Sequence, residues 1–149
     1  MLTTEERSLE AEITSLENAL RREGMRITVP RRRLLTALVG TRRLVTAQEL
    51  YRVLEQAVGE ATVYRLLNTL FHLGKARRYV TGGGEVAYLY CGSTHHHHAI
   101  CLDCGGVEEI ACQPSCLPEA VNHFDVLKHE MDLFGRCQEC QKGLSEASP

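Results

Sequence analysis

Apolar residues recur every three or four positions through the first half of the chain, a pattern that indicates amphipathic helices. The first helix is predicted to be capped by Thr4 and to stop at Gly24. The second is predicted to start at Pro30 and to end at Gly40. A third should open with the capping box TAQE at residues 46–49.

A fourth helix is predicted in the segment EATVYRLLNTLFHLG, with Gly74 as its end. Its inward face carries four aliphatic residues: Val63, Leu66, Leu67 and Leu70. The pattern then becomes alternating, and ARRYV and EVAYLY flank a glycine-rich turn at residues 81–84, as in a β-hairpin. The last three of these helices, followed by the hairpin, have the order of a winged helix-turn-helix. In that fold the last helix enters the major groove of DNA.

Charge is distributed unevenly along the 149 residues, although the net charge is only −2. Residues 21–79 hold thirteen basic and four acidic side chains, whereas residues 1–20 and 80–149 are acidic, at −4 and −7. A positive middle segment favours contact with a polyanion, and a merely solvated basic surface is the alternative. The winged-helix order favours the nucleic-acid interpretation.

The candidate DNA contacts follow from the predicted recognition helix and the arginines before it. Near the exposed start of that helix lie Thr62, Tyr64 and Arg65. An arginine there can bond guanine through two hydrogen bonds, and the hydroxyls suit phosphates. Further phosphate contacts are expected from four arginines: Arg26, Arg31, Arg32 and Arg33.

The second half of the chain contains two Cys-x-x-Cys motifs. They consist of Cys101, Cys104, Cys137 and Cys140. Two such pairs provide four thiolates for a tetrahedral structural zinc, which has no open position for catalysis. With seven cysteines, an odd number, and no secretory signal pattern, a disulfide framework or redox pairs are the weaker alternatives.

Four consecutive histidines precede the first of these motifs, in the segment HHHHAIC. We expect a strand here, in which successive side chains point to opposite faces. His95 and His97 should then face one way, and His96 and His98 the other, so that each pair serves a different ion. A solvated histidine-rich loop is the alternative interpretation.

Each pair of histidines needs further ligands. For His96 and His98 the nearest candidate is Cys91, and Glu109 can add a carboxylate. For the other pair the candidates are Cys116 and His129, the latter in the alternating segment VLKHEMDLFG. Mixed thiolate and imidazole ligands favour zinc over manganese. Cys112 has no assignment from the sequence.

Together these motifs resemble the ferric uptake regulator (Fur) family of metal-dependent transcription factors. The resemblance covers roughly residues 20–141, in the family's order, through RITVPRRRLL, TAQELYRVL, ATVYRLLNTLFHLGKARR, HHHHAICLDCGGVEEI and HEMDLFGRCQEC. It implies an α+β protein with a winged helix-turn-helix DNA-binding domain at residues 1–88. A small α/β dimerisation domain with a four-cysteine zinc site would follow at residues 89–149, in a homodimer.

The resemblance also implies roles for single residues. The structural zinc ligands are Cys101, Cys104, Cys137 and Cys140. The regulatory positions at the hinge are His96, His98 and Glu109, joined by Cys91, a thiolate typical of the zinc uptake regulator branch. The third-site positions are His95, His97 and His129. The DNA-contact positions are Tyr64 and Arg65.

Two positions depart from the family pattern. The third site usually includes a glutamate where this chain has Cys116. Some zinc-type members have an aspartate shortly after the recognition helix, where Arg77 stands here, so Glu109 is preferred to Glu85 as the fourth regulatory ligand. All four residues of the histidine run are His, whereas iron-type members more often have an aspartate within it. With Cys91, this favours zinc as the sensed metal.

The sequence therefore predicts a cytoplasmic, zinc-responsive repressor that binds double-stranded operator DNA and controls metal-uptake genes. An iron-, manganese-, nickel- or peroxide-responsive regulator is the alternative within the family. A zinc enzyme is disfavoured because the His-x-Glu pattern of zinc deaminases is missing, and no small organic substrate is expected. A zinc-stabilised interaction module without sensing is a third alternative. No apolar run is long enough to cross a membrane.

Overall fold

The computed structural model describes residues 3–54, 57–92, 94–113 and 123–146, with no description of the side chains of 144–146. The chain divides into two compact units, Met1–Ser93 and Thr94–Pro149. The predicted domain boundary lay five residues before the end of the first unit. No helix among the described residues is both long and apolar enough to cross a membrane.

Four helices form most of the first unit: α1 (Thr4–Arg22), α2 (Val29–Val39), α3 (Ala47–Val53) and α4 (Glu60–His72). The capping box predicted for α3 is present, since the Thr46 hydroxyl accepts the N–H of Glu49 at 3.1 Å. The prediction for α1 was wrong by one residue. Thr3 rather than Thr4 caps this helix, because Glu6 reaches back to the Thr3 N–H and completes a capping box.

The helices pack around one apolar core in the first unit. Its centre consists of leucines from three helices, each at most 1% exposed: Leu16, Leu20, Leu34, Leu35, Leu38, Leu66, Leu67 and Leu70. The predicted inward face of α4 is confirmed, since Val63 and its three leucines are all buried. The opposite face of α4, with Tyr64 and Arg65, is therefore exposed.

A three-stranded sheet completes the first unit, with strands β1 (Val45–Thr46), β2 (Ala76–Val80) and β3 (Val86–Tyr90) in the order β1-β3-β2. The predicted hairpin is β2–β3, paired antiparallel from Ala76 opposite Tyr90 to Val80 opposite Val86. Gly84 has φ of 80° in the connecting turn, a conformation that glycine adopts without strain. The short β1 was not predicted, because two residues are too few for an alternating pattern.

A buried carboxylate joins α1 to α2. Glu17 is 5% exposed, and it accepts hydrogen bonds from Arg32 of α2 and, at 3.2 Å, from Arg21 of its own helix. Arg32 also pairs with Glu10. A buried charge is tolerated only when it is paired and hydrogen-bonded, so these arginines allow Glu17 to lie inside the fold.

Replacing Arg32 should destabilise the first unit. Arg32→Ala leaves the Glu17 carboxylate with one cation fewer in a buried position, which should cost about 1–3 kcal/mol in the free energy of unfolding. Urea denaturation followed by far-ultraviolet circular dichroism measures this. Arg33→Ala, which removes an exposed neighbour on the same helix, is the control; equal losses in both variants would contradict the assignment.

The described part of the second unit has a smaller sheet and one helix: β4 (His96–Cys101), β5 (Val107–Ala111), β6 (Asp132–Gly135) and α5 (Gln138–Glu146). Strand β4 lies in the middle, antiparallel to β5 and parallel to β6. The predicted strand through VLKHEMDLFG is shorter than expected, because residues 125–131 have no regular structure. The long segment between the two cysteine motifs also predicts a helix there, and residues 114–122 of this segment lie outside the described residues.

The predicted fold class is confirmed. The first unit has the helices and hairpin of a winged helix-turn-helix, and the second combines a small sheet with a helix, so the chain is an α+β protein. The two cysteine motifs both belong to the second unit.

Candidate metal centres and nucleic-acid face

The four cysteines of the Cys-x-x-Cys motifs converge in the second unit, with all four sulfur atoms within 4.8 Å of one another. Cys101 ends β4 and Cys104 lies in the turn that follows, whereas Cys137 precedes α5 and Cys140 lies in its first turn. Each Cys-x-x-Cys motif by itself predicts two thiolates at the tip of a turn. The first pair lies at such a turn, whereas the second lies at the start of α5.

The spacing of these sulfurs fits zinc. The Sγ atoms of Cys104 and Cys137 are 3.8 Å apart. In a tetrahedral site with Zn–S bonds of about 2.3 Å, neighbouring sulfurs lie about 3.8 Å apart. The donor set of four thiolates is the one that structural zinc sites use, and it leaves no open coordination position.

Hydrogen bonds from the backbone and from neighbouring thiols shift the pKa values of two cysteines in this cluster. Backbone N–H groups of Cys104 and Cys137 donate to the Cys101 sulfur and lower the pKa of that thiol to about 6. Side-chain hydrogen bonds of Cys140 with the neighbouring sulfurs of Cys137, Cys104 and Cys101 raise the pKa of the Cys140 thiol to about 12. One thiolate is thus stabilised by the protein, and a cation would have to stabilise the further negative charge of the others.

Three residues of the histidine run, His96–His98, begin β4, and His95 directly precedes it. Their side chains alternate between two faces, as the sequence predicted. On one face the Nε2 atoms of His96 and His98 are 3.0 Å apart. In a tetrahedral zinc site with Zn–N bonds of about 2.0–2.1 Å, neighbouring nitrogens are about 3.3 Å apart, so this pair is close to the geometry that a shared ion needs. The carboxylate of Glu109 lies on the same face, with Oε1 3.9 Å from His96 Nε2.

Asp132 orients one of these rings. It lies opposite His98 in the parallel β4–β6 pairing, and its Oδ1 is 3.2 Å from His98 Nδ1. A carboxylate that accepts the Nδ1–H proton leaves Nε2 as the free lone pair, directed at the position between His96 and His98. The sequence did not indicate this role, because Asp132 is 34 residues away and the parallel register was not predictable.

Loss of this carboxylate should weaken metal binding at the His96–His98 pair. Asp132→Ala removes the group that fixes the tautomer and orientation of His98, so the zinc affinity of this pair should fall about 10–100-fold. Competition with a chelator of known affinity measures the change. Glu108→Ala removes an exposed carboxylate of β5 that does not point to His98 and should leave the affinity unchanged.

On the other face of β4, His95 and His97 meet His129 and a cysteine. The four candidate ligand atoms, from His95, His97, Cys112 and His129, all lie within 4.8 Å of one another. His95 Nε2 is 3.0 Å from His129 Nε2, and the Cys112 sulfur is 3.2 Å from the same nitrogen. Cys116, the predicted fourth member, lies outside the described residues.

Strand register explains why Cys112 reaches this group. In the β4–β5 hairpin His96 is paired with Ala111, so the next residue, Cys112, stands at the level of His95. Local sequence patterns do not show which residues of β4 and β5 are paired, so they gave Cys112 no assignment. Among the described residues, this group and the four-cysteine cluster are the two in which potential ligands converge so closely.

Cys91 lies just after β3 in the first unit. Its backbone N–H donates to the carbonyl oxygen of Lys75 at 3.0 Å, which fixes the chain at this point. The predicted ligand set of Cys91 with His96, His98 and Glu109 draws on both units. Its assignment stays a prediction.

The exposed face of α4 carries the predicted DNA contacts. Tyr64 is 43% exposed and Arg65 is exposed, while Thr62 is half-buried. Arg26 is exposed, and the guanidinium of Arg31 donates to the carbonyl oxygen of Arg26, so both arginines belong to one short segment at the start of α2. Arg32, also expected to contact phosphate, is instead engaged with the carboxylates of α1.

Known proteins resemble the chain over most of its length. Residues 22–134 match the model of the ferric uptake regulator family. The ferric uptake regulation protein of Legionella pneumophila is 32% identical over 82% of this chain and 96% of its own length. The peroxide-responsive repressor PerR of Staphylococcus saprophyticus is 32% identical over 94% and 96%.

A solved structure agrees with these relatives. The ferric uptake regulator of Helicobacter pylori, whose structure is described as revealing three functional metal-binding sites, superimposes with a TM-score of 0.67. The two proteins are 25% identical, and the match covers 89% of this chain and 93% of the other. The chain belongs to the ferric uptake regulator family of metal-responsive transcription regulators.

Proposed function

We propose that this protein is a zinc-responsive, dimeric repressor of the cytoplasm, which binds operator DNA when its regulatory site holds zinc and controls metal-uptake genes. The alternation of imidazoles along β4 is the observation that carries the proposal. It gives two separate histidine pairs next to a four-thiolate cluster, and so three groups of potential metal ligands in one small unit. The structure of the Helicobacter pylori ferric uptake regulator is likewise described as revealing three metal-binding sites.

Zinc is preferred because of the donor atoms. The proposed regulatory ligands are two imidazoles, His96 and His98, with the thiolate of Cys91 and the carboxylate of Glu109. A thiolate with imidazoles suits zinc, whereas manganese favours sites richer in oxygen. The relatives named for iron uptake and for peroxide response support the alternative, an iron-, manganese- or peroxide-responsive regulator.

The regulatory ligands couple metal binding to DNA binding through their positions in the chain. Cys91 belongs to the winged-helix unit, and His96, His98 and Glu109 belong to the second unit. When bound, zinc supplies bonds that hold ligands from both units at once. We assume two arrangements of the protein, of which one binds DNA. Metal binding can favour the DNA-binding arrangement only if zinc binds more tightly to it than to the other arrangement. A shift from 1:99 to 99:1 needs about 5.5 kcal/mol, within the range of a multidentate zinc site.

The winged-helix unit supplies the DNA contacts in this proposal. The exposed side of α4 places Tyr64 and Arg65 where a recognition helix meets base edges and phosphates. A homodimer presents two such helices to the half-sites of a near-palindromic operator. Family members are transcription regulators, and the closed four-thiolate cluster gives no catalytic position, so no enzymatic activity is proposed.

Alanine replacement at Arg65 tests the DNA-binding part of the proposal. With an operator selected from random duplex DNA by the zinc-loaded protein, Arg65→Ala should weaken specific binding by about 1–3 kcal/mol and relax the preference at one base pair of each half-site. Lys142→Ala removes the same charge from α5 and should leave binding unchanged. Equal behaviour of both variants in a mobility-shift titration would refute this role of α4.

A further inference from the structure

We propose that Cys112 supplies the thiolate of a three-histidine, one-cysteine zinc site, with the imidazoles of His95, His97 and His129. This inference deepens the metal-binding part of the proposed function and rests on it. The sequence pointed to Cys116, at a position where related proteins usually have glutamate. A thiolate in place of that carboxylate changes which metals the site can select.

The first support is the distance between donor atoms. The Cys112 sulfur lies 3.2 Å from Nε2 of His129, which in turn lies 3.0 Å from Nε2 of His95. In a tetrahedral zinc site with one Zn–S and three Zn–N bonds, donor atoms are about 3.3–3.6 Å apart. The four side chains therefore need to separate by only a few tenths of an ångström to surround an ion.

The second support is the rigidity of the elements that hold these donors. His97 lies in the central strand β4 and is 0% exposed. Cys112 directly follows β5 and stands at the level of His95 in the hairpin register. Strand β4 therefore holds His97, while His95 and Cys112 directly adjoin the paired residues His96 and Ala111. His129 closes the group from the segment before β6.

The third support is the chemistry of the donor set. Three neutral imidazoles and one thiolate carry a single negative charge against the two positive charges of the ion. Zinc accepts four such nitrogen and sulfur donors in tetrahedral geometry, whereas manganese prefers six oxygen donors. The site should therefore select zinc, or cobalt(II) as its spectroscopic substitute, over manganese.

The cysteine inventory allows a direct spectroscopic test. The chain has seven cysteines, four of which form the cluster at the end of β4 and the start of α5. In a Cys91→Ser protein whose four-cysteine cluster keeps zinc, the remaining thiols are Cys112 and Cys116. Cobalt(II) added to this full-length protein should then produce a thiolate-to-cobalt charge-transfer band together with tetrahedral ligand-field bands. Metal analysis of the same sample checks that the zinc is retained.

Two matched variants identify the sulfur. In the Cys91→Ser background, Cys116→Ser should keep the charge-transfer band, and Cys112→Ser should abolish it and weaken cobalt binding at least 10-fold. Loss of the band in Cys116→Ser alone, a band that survives both replacements, or no band in the parent would each overturn the inference. Operator binding is measured separately, so a zinc-independent operator affinity would count against the proposed function and leave this ligand assignment standing.

Discussion

Removal of zinc from the four-cysteine cluster is expected to unfold the second unit while the first unit keeps its helices. In the described part of the second unit the buried residues are His97, His98, Ile100 and Cys101, a core too small for a stable unit alone. Structural zinc contributes apparent binding free energies of about 10–16 kcal/mol that become folding free energy. The first unit has its own core of leucines and should therefore keep its structure without this metal.

Hydrogen exchange followed by mass spectrometry measures this loss segment by segment. In Cys104→Ser/Cys140→Ser, or after chelation, amide protons of β4, β5 and β6 should exchange at least 100-fold faster, and those of α2 and α4 should not change. Leu102→Ser/Glu139→Ser changes two exposed neighbours of the cluster and keeps all four cysteines, so it is the matched control. Persistent protection of β4 in zinc-free protein would show that the metal is not structural.

Loss of zinc-dependent operator binding is the second large effect, expected for replacements at the regulatory ligands. Cys91→Ser and His98→Ala each remove one donor of the proposed set, and the affinity gain on adding zinc should fall at least 10-fold. The His98 side chain lies beside His96 and Asp132. His98→Ala therefore changes the regulatory face of β4 and leaves the contact of His95 with His129 on the opposite face. Fluorescence anisotropy with labelled operator at buffered free zinc measures the gain.

The neighbouring histidine provides the control for this experiment. His95→Ala changes a residue next to the same strand but points to the opposite face, toward His129. It should reduce the zinc-dependent gain less than His98→Ala does. Similar losses in both variants would mean that the two faces of β4 do not have separate roles.

Local sequence patterns predicted the elements that depend on neighbouring residues. The inward face of α4, the capping box at Thr46 and the β2–β3 hairpin all follow from periodicity and turn chemistry, and the structure confirms them. The opposite directions of His96 and His97 also follow from the period of a strand, because successive side chains of extended backbone alternate.

Long-range register could not be predicted in the same way. The place of Cys112 depends on which residues of β4 and β5 are paired, and that of Asp132 on a parallel pairing across a long connection. The ion pair of Arg32 with Glu17 joins two helices, and the sequence patterns, which predicted a phosphate contact for this arginine, did not indicate it. Sequence patterns thus identified the ligand types, while strand pairing determined their partners.

The most direct test of the central claim is an operator titration with zinc, iron(II) and manganese(II), each at buffered free concentration, for the wild-type protein and Cys91→Ser. A zinc-responsive repressor should bind the operator at the lowest free concentration of zinc, and Cys91→Ser should lose most of that response. Equal operator affinity with zinc and with chelator, or a stronger response to iron(II) or manganese(II), would contradict it.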